Sequence, residues 1–270
     1  MINKLKYYLL VTLIFTTTLH AEPAHLSIVT EQLPPFQMRV PDGIGGYVTE
    51  IIEASLAETN FSYDINIYPW ARAYNLALYK KNTCVYSIAR TPEREAMFQW
   101  TKPIATTNAS FVGLKSNKRI HINNLEDVKN YITAVIRDDI SHQLLLENGF
   151  VEGEHFFLVN NPDSLLKLLV TRKNIDLVMI DYLTIKYRSA YSKLDPSLFT
   201  PYMHLNQKPL VFYLACSKST ASEIVNQLSK AINTIKANGT YQKIIDKWLN
   251  KEDRLMETSK QIEEMGNLKK

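Results

Sequence analysis

The chain has 270 residues, enough for one large domain or two small ones with real cores. Hydrophobic residues make up 46% and charged residues 21%, which excludes wholesale disorder, and only 8 glycines exclude a glycine-rich fibre. The formal charge is +4, too weak to point to nucleic acid or an anionic membrane surface as the partner.

The N-terminus, "MINKLKYYLLVTLIFTTTLHAEPAHL", starts basic with Lys4 and Lys6 and continues as an apolar stretch from Tyr7 to Leu19. That stretch is shorter than the ~20 residues a bilayer span needs. It reads as a secretory signal peptide over residues 1–21, cut after Ala21, with an uncleaved anchor as the alternative. Removing it leaves 29 basic and 27 acidic side chains, a net +2. No later segment is apolar enough to cross a membrane, so the expected product is a soluble, exported protein.

"HLSIVT" (25–30) is a short strand, and "EQLPPFQMRVPDGIGG" is a loop rich in turn formers. Helical spacing begins at Tyr47 and carries Val48, Ile51, Ile52 and Leu56 on one side. "SYDINIYP" alternates as a half-buried strand, and Pro69 then opens a helix at its first position through "WARAYNLALYKK". "CVYSI" is a third strand.

The alternation starts again at "ASFVGLK" (109–115). There follow a short helix at "NLEDVKN", a strand at "YITAVI" and a helix at "ISHQLLLENG" stopped by Gly149. Next come a strand at "HFFLVN", a helix entered through Asn161 and Pro162, a strand at "IDLVMI" and a helix to about Tyr191. A last strand, "PLVFYLACSK", precedes a long helix from about Thr220 to Ala237 with Ile224, Leu228, Ile232 and Ile235 as its core stripe. Gly239 ends it, and "TYQKIIDKWL" resumes helically. Residues 251–270 are a polar tail.

Strand–helix alternation in two runs predicts an α/β fold of two units. The chain left over after the second run has to return to the first sheet. The first lobe is therefore expected over residues 24–110 plus 208–250, and the second over 111–207, with connecting strands near Ala109–Gly113 and Leu205–Leu210.

Two arginines stand out in "SIARTPERE". Thr91 suits a cap and Pro92 the first helical position, so Arg94 falls in a first helical turn, where the helix dipole disfavours a cation. An anionic partner resolves that conflict, because guanidinium grips carboxylate through two parallel hydrogen bonds. A salt bridge to Glu93 or Glu95 resolves it equally well. Asp181 ends an apolar strand, where ligands of open α/β sheets bind, and suits an ammonium group; capping the next helix is the competing use. Trp70, flanked by Tyr68 and Tyr74, offers a stacking wall, and Arg72 and Arg90 add charge near the same strand ends.

Cys84 and Cys216 sit in strand-like runs; a disulfide between neighbouring strands and two buried thiols both fit. "DGIGGY" lacks the ending of a phosphate loop. There is no Gly-x-Ser-x-Gly elbow, no His-Glu-x-x-His and no metal-ligand spacing among the six histidines, so neither a cofactor nor a metal is expected.

Five pieces, "LPPFQ", "GGYVTEIIEASL", "SIARTPEREAMFQWTKPI", "IDLVMID" and "IKANGTYQKIIDKWL", occur in the order and spacing of one family. Over about residues 25–250 the chain resembles the bacterial extracellular solute-binding proteins of family 3, the amino-acid-binding type, and "YPWARA" resembles a subgroup of it. The resemblance implies the two-lobed type II periplasmic-binding-protein fold, with two α/β lobes joined by two crossing strands around a ligand cleft. It implies that Arg94 takes a ligand carboxylate and Asp181 an α-ammonium, with Ser87 beside them.

Leu33 stands where the family often has an aromatic, leaving Trp70 to supply the stacking surface. The second-lobe binding turn, usually Gly with Ser or Thr, here reads "RDDIS", which brings Arg137 and Asp139 to the ligand. The family further implies a monomer in the periplasm serving an ABC-type permease or a sensor in the inner membrane. An enzyme of the cyclohexadienyl dehydratase type on the same fold is the alternative, with Glu31, Asp138 and Asp139 as acid–base candidates. A ligand-sensing module is the third.

Overall fold

The computed structural model describes residues 24–182, 184–205 and 209–248. The expected leader (1–21) and polar tail (251–270) lie outside the described residues. In chain order the elements are β1 (His25–Thr30), β2 (Met38–Val40), β3 (Gly43–Gly45), α1 (Tyr47–Ala57), β4 (Ser62–Ile67), α2 (Trp70–Tyr79), β5 (Thr83–Ala89), α3 (Pro92–Glu95) and β6 (Phe98–Thr107). There follow β7 (Ala109–Leu114), α4 (Leu125–Val128), β8 (Thr133–Ile136), α5 (Ile140–Glu147), β9 (Phe156–Val159), α6 (Leu165–Thr171), β10 (Leu177–Asp181), α7 (Thr184–Ser192) and β11 (Phe199–His204). β12 (Leu210–Ser217), α8 (Ser222–Ala237) and α9 (Thr240–Trp248) are the last of the described elements.

Two five-stranded sheets organise these elements. The first runs β4-β1-β5-β12-β6 and the second β11-β7-β10-β8-β9. In the first sheet β4, β1 and β5 are parallel, and β12 runs antiparallel between β5 and β6. In the second, β9, β8 and β10 are parallel, and β7 runs antiparallel between β10 and β11. The chain leaves the first sheet at Thr107 and enters the second at Ala109, so Asn108 makes the crossing; it returns between His204 and Leu210.

The apolar spacing of α1 and α8 explains how the first lobe packs. Val48, Ile51 and Ile52 of α1 and Leu228 and Ile232 of α8 are fully buried and share a core with Leu26 and Ile28 of β1. Gly46, at φ 118°, opens α1 where a Cβ would come within 2.5 Å of the Phe36 carbonyl oxygen, so no other residue fits there. Cys84 and Cys216 face each other in the β5–β12 register and are disulfide-bonded, which ties the returning strand to the first sheet.

Two strands lay hidden in the sequence. "FQWTKPIATT" forms β6 and "FTPYMH" forms β11, although each contains a proline. Both are edge strands, and register shifts fall beside Pro103 and Pro201, so the missing N–H groups leave the ladders intact. The first loop holds the β2–β3 hairpin, and Pro69 caps α2 from just outside rather than filling its first position.

Candidate functional site

A ligand needs a place where side chains converge without filling the space. β1 and β5, parallel in the first sheet, and β8 and β10, parallel in the second, bring their carboxyl ends to one cavity. At or just beyond these ends stand Glu31, Arg94, Asp139 and Asp181, the location that open α/β sheets offer to ligands. These four line one cavity of about 60 Å³, together with Trp70, Ser87, Leu33, Thr107, Phe212 and Arg188 among others.

Arg94 is 6% exposed. Its guanidinium lies over the rings of Trp70 and Tyr74, at 5.7 and 5.4 Å, and donates to the carbonyls of Ala89 (3.4 Å) and, across the cleft, Asp138 (3.3 Å). Burial lowers its pKa, with Tyr74, Asp139 and Glu31 pulling the other way. Among the described residues it makes no ion pair.

Asp181 is buried on the opposite wall, and its Oδ2 accepts from Thr107 Oγ1 (2.5 Å) and the Asn108 N–H (2.7 Å). The carboxylate therefore reaches to the crossing segment. Ser87 turns through φ 59° at the cavity wall, a left-handed conformation that a serine adopts only under constraint, and donates to Gln37 Oε1 at 2.7 Å.

"RDDIS" folds as a tight helix entry. Asp138 sits at φ 60° and Asp139 caps α5, accepting from Ser141 N–H and Oγ and from His142 N–H. Burial pushes the Asp139 carboxyl above its ordinary range, and those hydrogen bonds pull it back. The Asp138 carbonyl faces the first lobe, where Trp70 Nε1 donates to it at 2.6 Å. Gln143 of α5 adds donations to Thr91 (3.4 Å) and Glu93 (2.5 Å). The two lobes are thus held together at the mouth of the cavity.

The structure brings Arg94, Asp181, Trp70, Ser87, Asp139 and Leu33 to one cavity and leaves Arg72, Arg90 and Arg137 outside its lining. Arg90 forms a two-bonded pair with Glu95 (2.5 and 2.6 Å) and lies against Trp100 and Tyr213. Arg72 is exposed and stacks on Tyr68. Arg137 is exposed and donates to Asn160. Each points where solvent hydrates its charge, whereas a place in the cavity would strip that water away.

Arg188 escaped the sequence reading as a site residue. It is 5% exposed on α7. The available signal was its spacing: it lies three residues after Ile185, on the face that α7 buries, where a charge is costly without a purpose. Glu31, read from sequence only as an acid–base candidate, is buried at the centre of the cluster. Burial, reinforced by Asp139, raises its pKa to about 8 against the pull of Arg188 and Arg94. Among the described residues no group of three His, Cys, Asp or Glu side chains is placed to hold a metal.

Two sheets wound in this order around a charged cleft define the type II periplasmic-binding-protein fold. The chain belongs to the bacterial extracellular solute-binding proteins, family 3, whose sequence model matches residues 26–251. No curated protein matches it.

Among solved structures, a histidine kinase sensor domain similar to periplasmic binding proteins superposes with a TM-score of 0.76 at 18% identity, covering 85% of this chain and 97% of its own. An L-arginine-bound amino acid ABC transporter substrate-binding protein of Streptococcus pneumoniae gives 0.69 at 16%, covering 83% and 94%. An ancestral amino-acid-binding protein, a precursor of cyclohexadienyl dehydratase, gives 0.67 at 21%, covering 83% and 95%.

Proposed function

We propose that this protein captures a small carboxylate-bearing ligand, an amino acid in the first instance, between its lobes in the periplasm and presents it to a membrane permease. The observation that carries this reading is the pairing of Arg94 and Asp181 on opposite walls of one cavity. Guanidinium and carboxylate so placed are complementary to the two ends of an amino acid zwitterion. The lobes would swing apart to admit it and close over it, and the ligand would favour closure through contacts made only in the closed form. A sensor in the inner membrane would read the same closed form, and the sensor-domain neighbour keeps that partner in view.

The test is a thermal-shift screen against amino acids, amines and small carboxylates. A ligand raises the melting temperature by mass action. Arg94→Ala is expected to abolish the shift, and a shift of undiminished size in that variant refutes the assignment.

One observation favours a second reading. Glu31 stays protonated to about pH 8 inside the cavity, the state a general acid needs. A dehydratase on a cyclohexadienyl substrate would use it, and product formation from prephenate or arogenate would identify that activity.

A further inference from the structure

We propose that Arg188 is a second anion-binding point in this cavity and that it selects a short dicarboxylic ligand, an acidic amino acid. The proposal rests on the reading of Arg94 as the first such point.

Both guanidiniums are buried cations without a salt bridge among the described residues, although the charges of Glu31 and Asp163 act on Arg188 and those of Asp139 and Glu31 on Arg94. Arg188 Nη1 donates to the Pro162 carbonyl at 2.8 Å, while its Nε is buried without a hydrogen-bond partner. Among the described residues no carboxylate comes within ion-pair distance of Arg188 or Arg94. A buried charge left in that condition is expensive and persists where something else supplies its counter-charge.

Among the described residues none of the cavity's own acids forms an ion pair with either guanidinium. Asp139 is held by the first turn of α5, and Asp181 by Thr107 and Asn108. Glu31 faces Asp139 from α5, Arg188 from α7 and Arg94 from α3, and it keeps its proton to about pH 8. A neutral carboxyl can donate a hydrogen bond to a bound carboxylate where an ionised one would repel it.

An acidic amino acid meets each of these demands. One carboxylate goes to Arg94, the other to Arg188, and the ammonium to Asp181. A ligand with a cationic side chain would instead bring a third positive charge toward two unpaired guanidiniums. The cavity of about 60 Å³ has room for on the order of five water-sized groups, which favours a short chain.

The experiment is calorimetric titration of the purified protein with L-aspartate, L-asparagine, L-glutamate, L-glutamine and L-arginine at pH 7. The amides match the acids in shape and lack the second charge. Each acid is expected to bind about 10- to 100-fold tighter than its amide, the range of one charge-assisted hydrogen bond. Arg188→Gln should bring that ratio close to one, and Arg188→Lys should restore part of it. Arg94→Ala should abolish the binding of aspartate and asparagine alike, whereas Arg188→Gln should spare asparagine.

In the wild-type protein, where folding of a variant is not at issue, the ratio should shrink above pH 8 as Glu31 ionises and competes for Arg188. Equal wild-type affinity for acid and amide, or tightest binding of arginine, overturns the role of Arg188 while leaving that of Arg94. Silence toward all five ligands overturns both.

Discussion

Replacing Glu31 by glutamine tests the electrostatics of the cavity through the stability of the fold. In the unfolded chain this carboxyl ionises near 4.5; in the folded protein it keeps its proton to about pH 8. Across that window the native state binds the extra proton, so native stability is fully expressed below pH 4.5 and is eroded as pH rises toward 8. Each pH unit is worth about 1.4 kcal/mol. Between pH 5 and pH 9 the wild-type protein should therefore lose about 4 kcal/mol that the Glu31→Gln variant, with nothing to titrate there, keeps.

Urea denaturation of both proteins at the two pH values isolates the effect, because the other titrating groups are common to both. The variant should gain on the wild type by that amount at pH 9 relative to pH 5. An unchanged difference between the two proteins across this range would mean that Glu31 ionises as an ordinary surface acid, and the picture of a neutral acid among the cavity charges would fall.

Three further outcomes follow from the packing. Trp70→Phe removes the indole donation to the Asp138 carbonyl across the cleft, a bond of about 1 kcal/mol, so the closed-to-open ratio should fall about fivefold. Small-angle scattering without ligand should then show a larger radius of gyration, and an unchanged radius argues against that bond as a closure contact. Replacing Cys84 and Cys216 together by serine opens a link across 132 residues and should cost about 2–5 kcal/mol in denaturant titrations, an effect that reductant should reproduce in the wild type. Leu228→Ala truncates a fully buried side chain of α8 and should cost about 2–5 kcal/mol by the same measurement.

The two-lobed α/β class was legible because its elements obey local rules. Helical spacing in α1 and α8, alternation in β4 and the Asn161-Pro162 entry before α6 are each written within a few residues. β6 and β11 were not, because a proline in a strand is acceptable only at a sheet edge, and edge position is a property of the assembled sheet. The same division runs through the site. Arg94 was singled out by a local conflict, a cation in a first helical turn. Arg90, four residues earlier and of the same type, turns outward to Glu95.

Residue type and spacing by themselves determined the class of fold, the two runs of alternating elements and a short roster of candidate charged side chains. Only the tertiary structure decided which of those charges share a cavity, that Cys84 lies opposite Cys216, and that Arg188 and a protonated Glu31 stand among them. The physical reason is that propensity and periodicity act over a few neighbouring residues. Desolvation and the Coulomb field depend on everything packed nearby, and here that means strand ends as distant in sequence as β1 and β10.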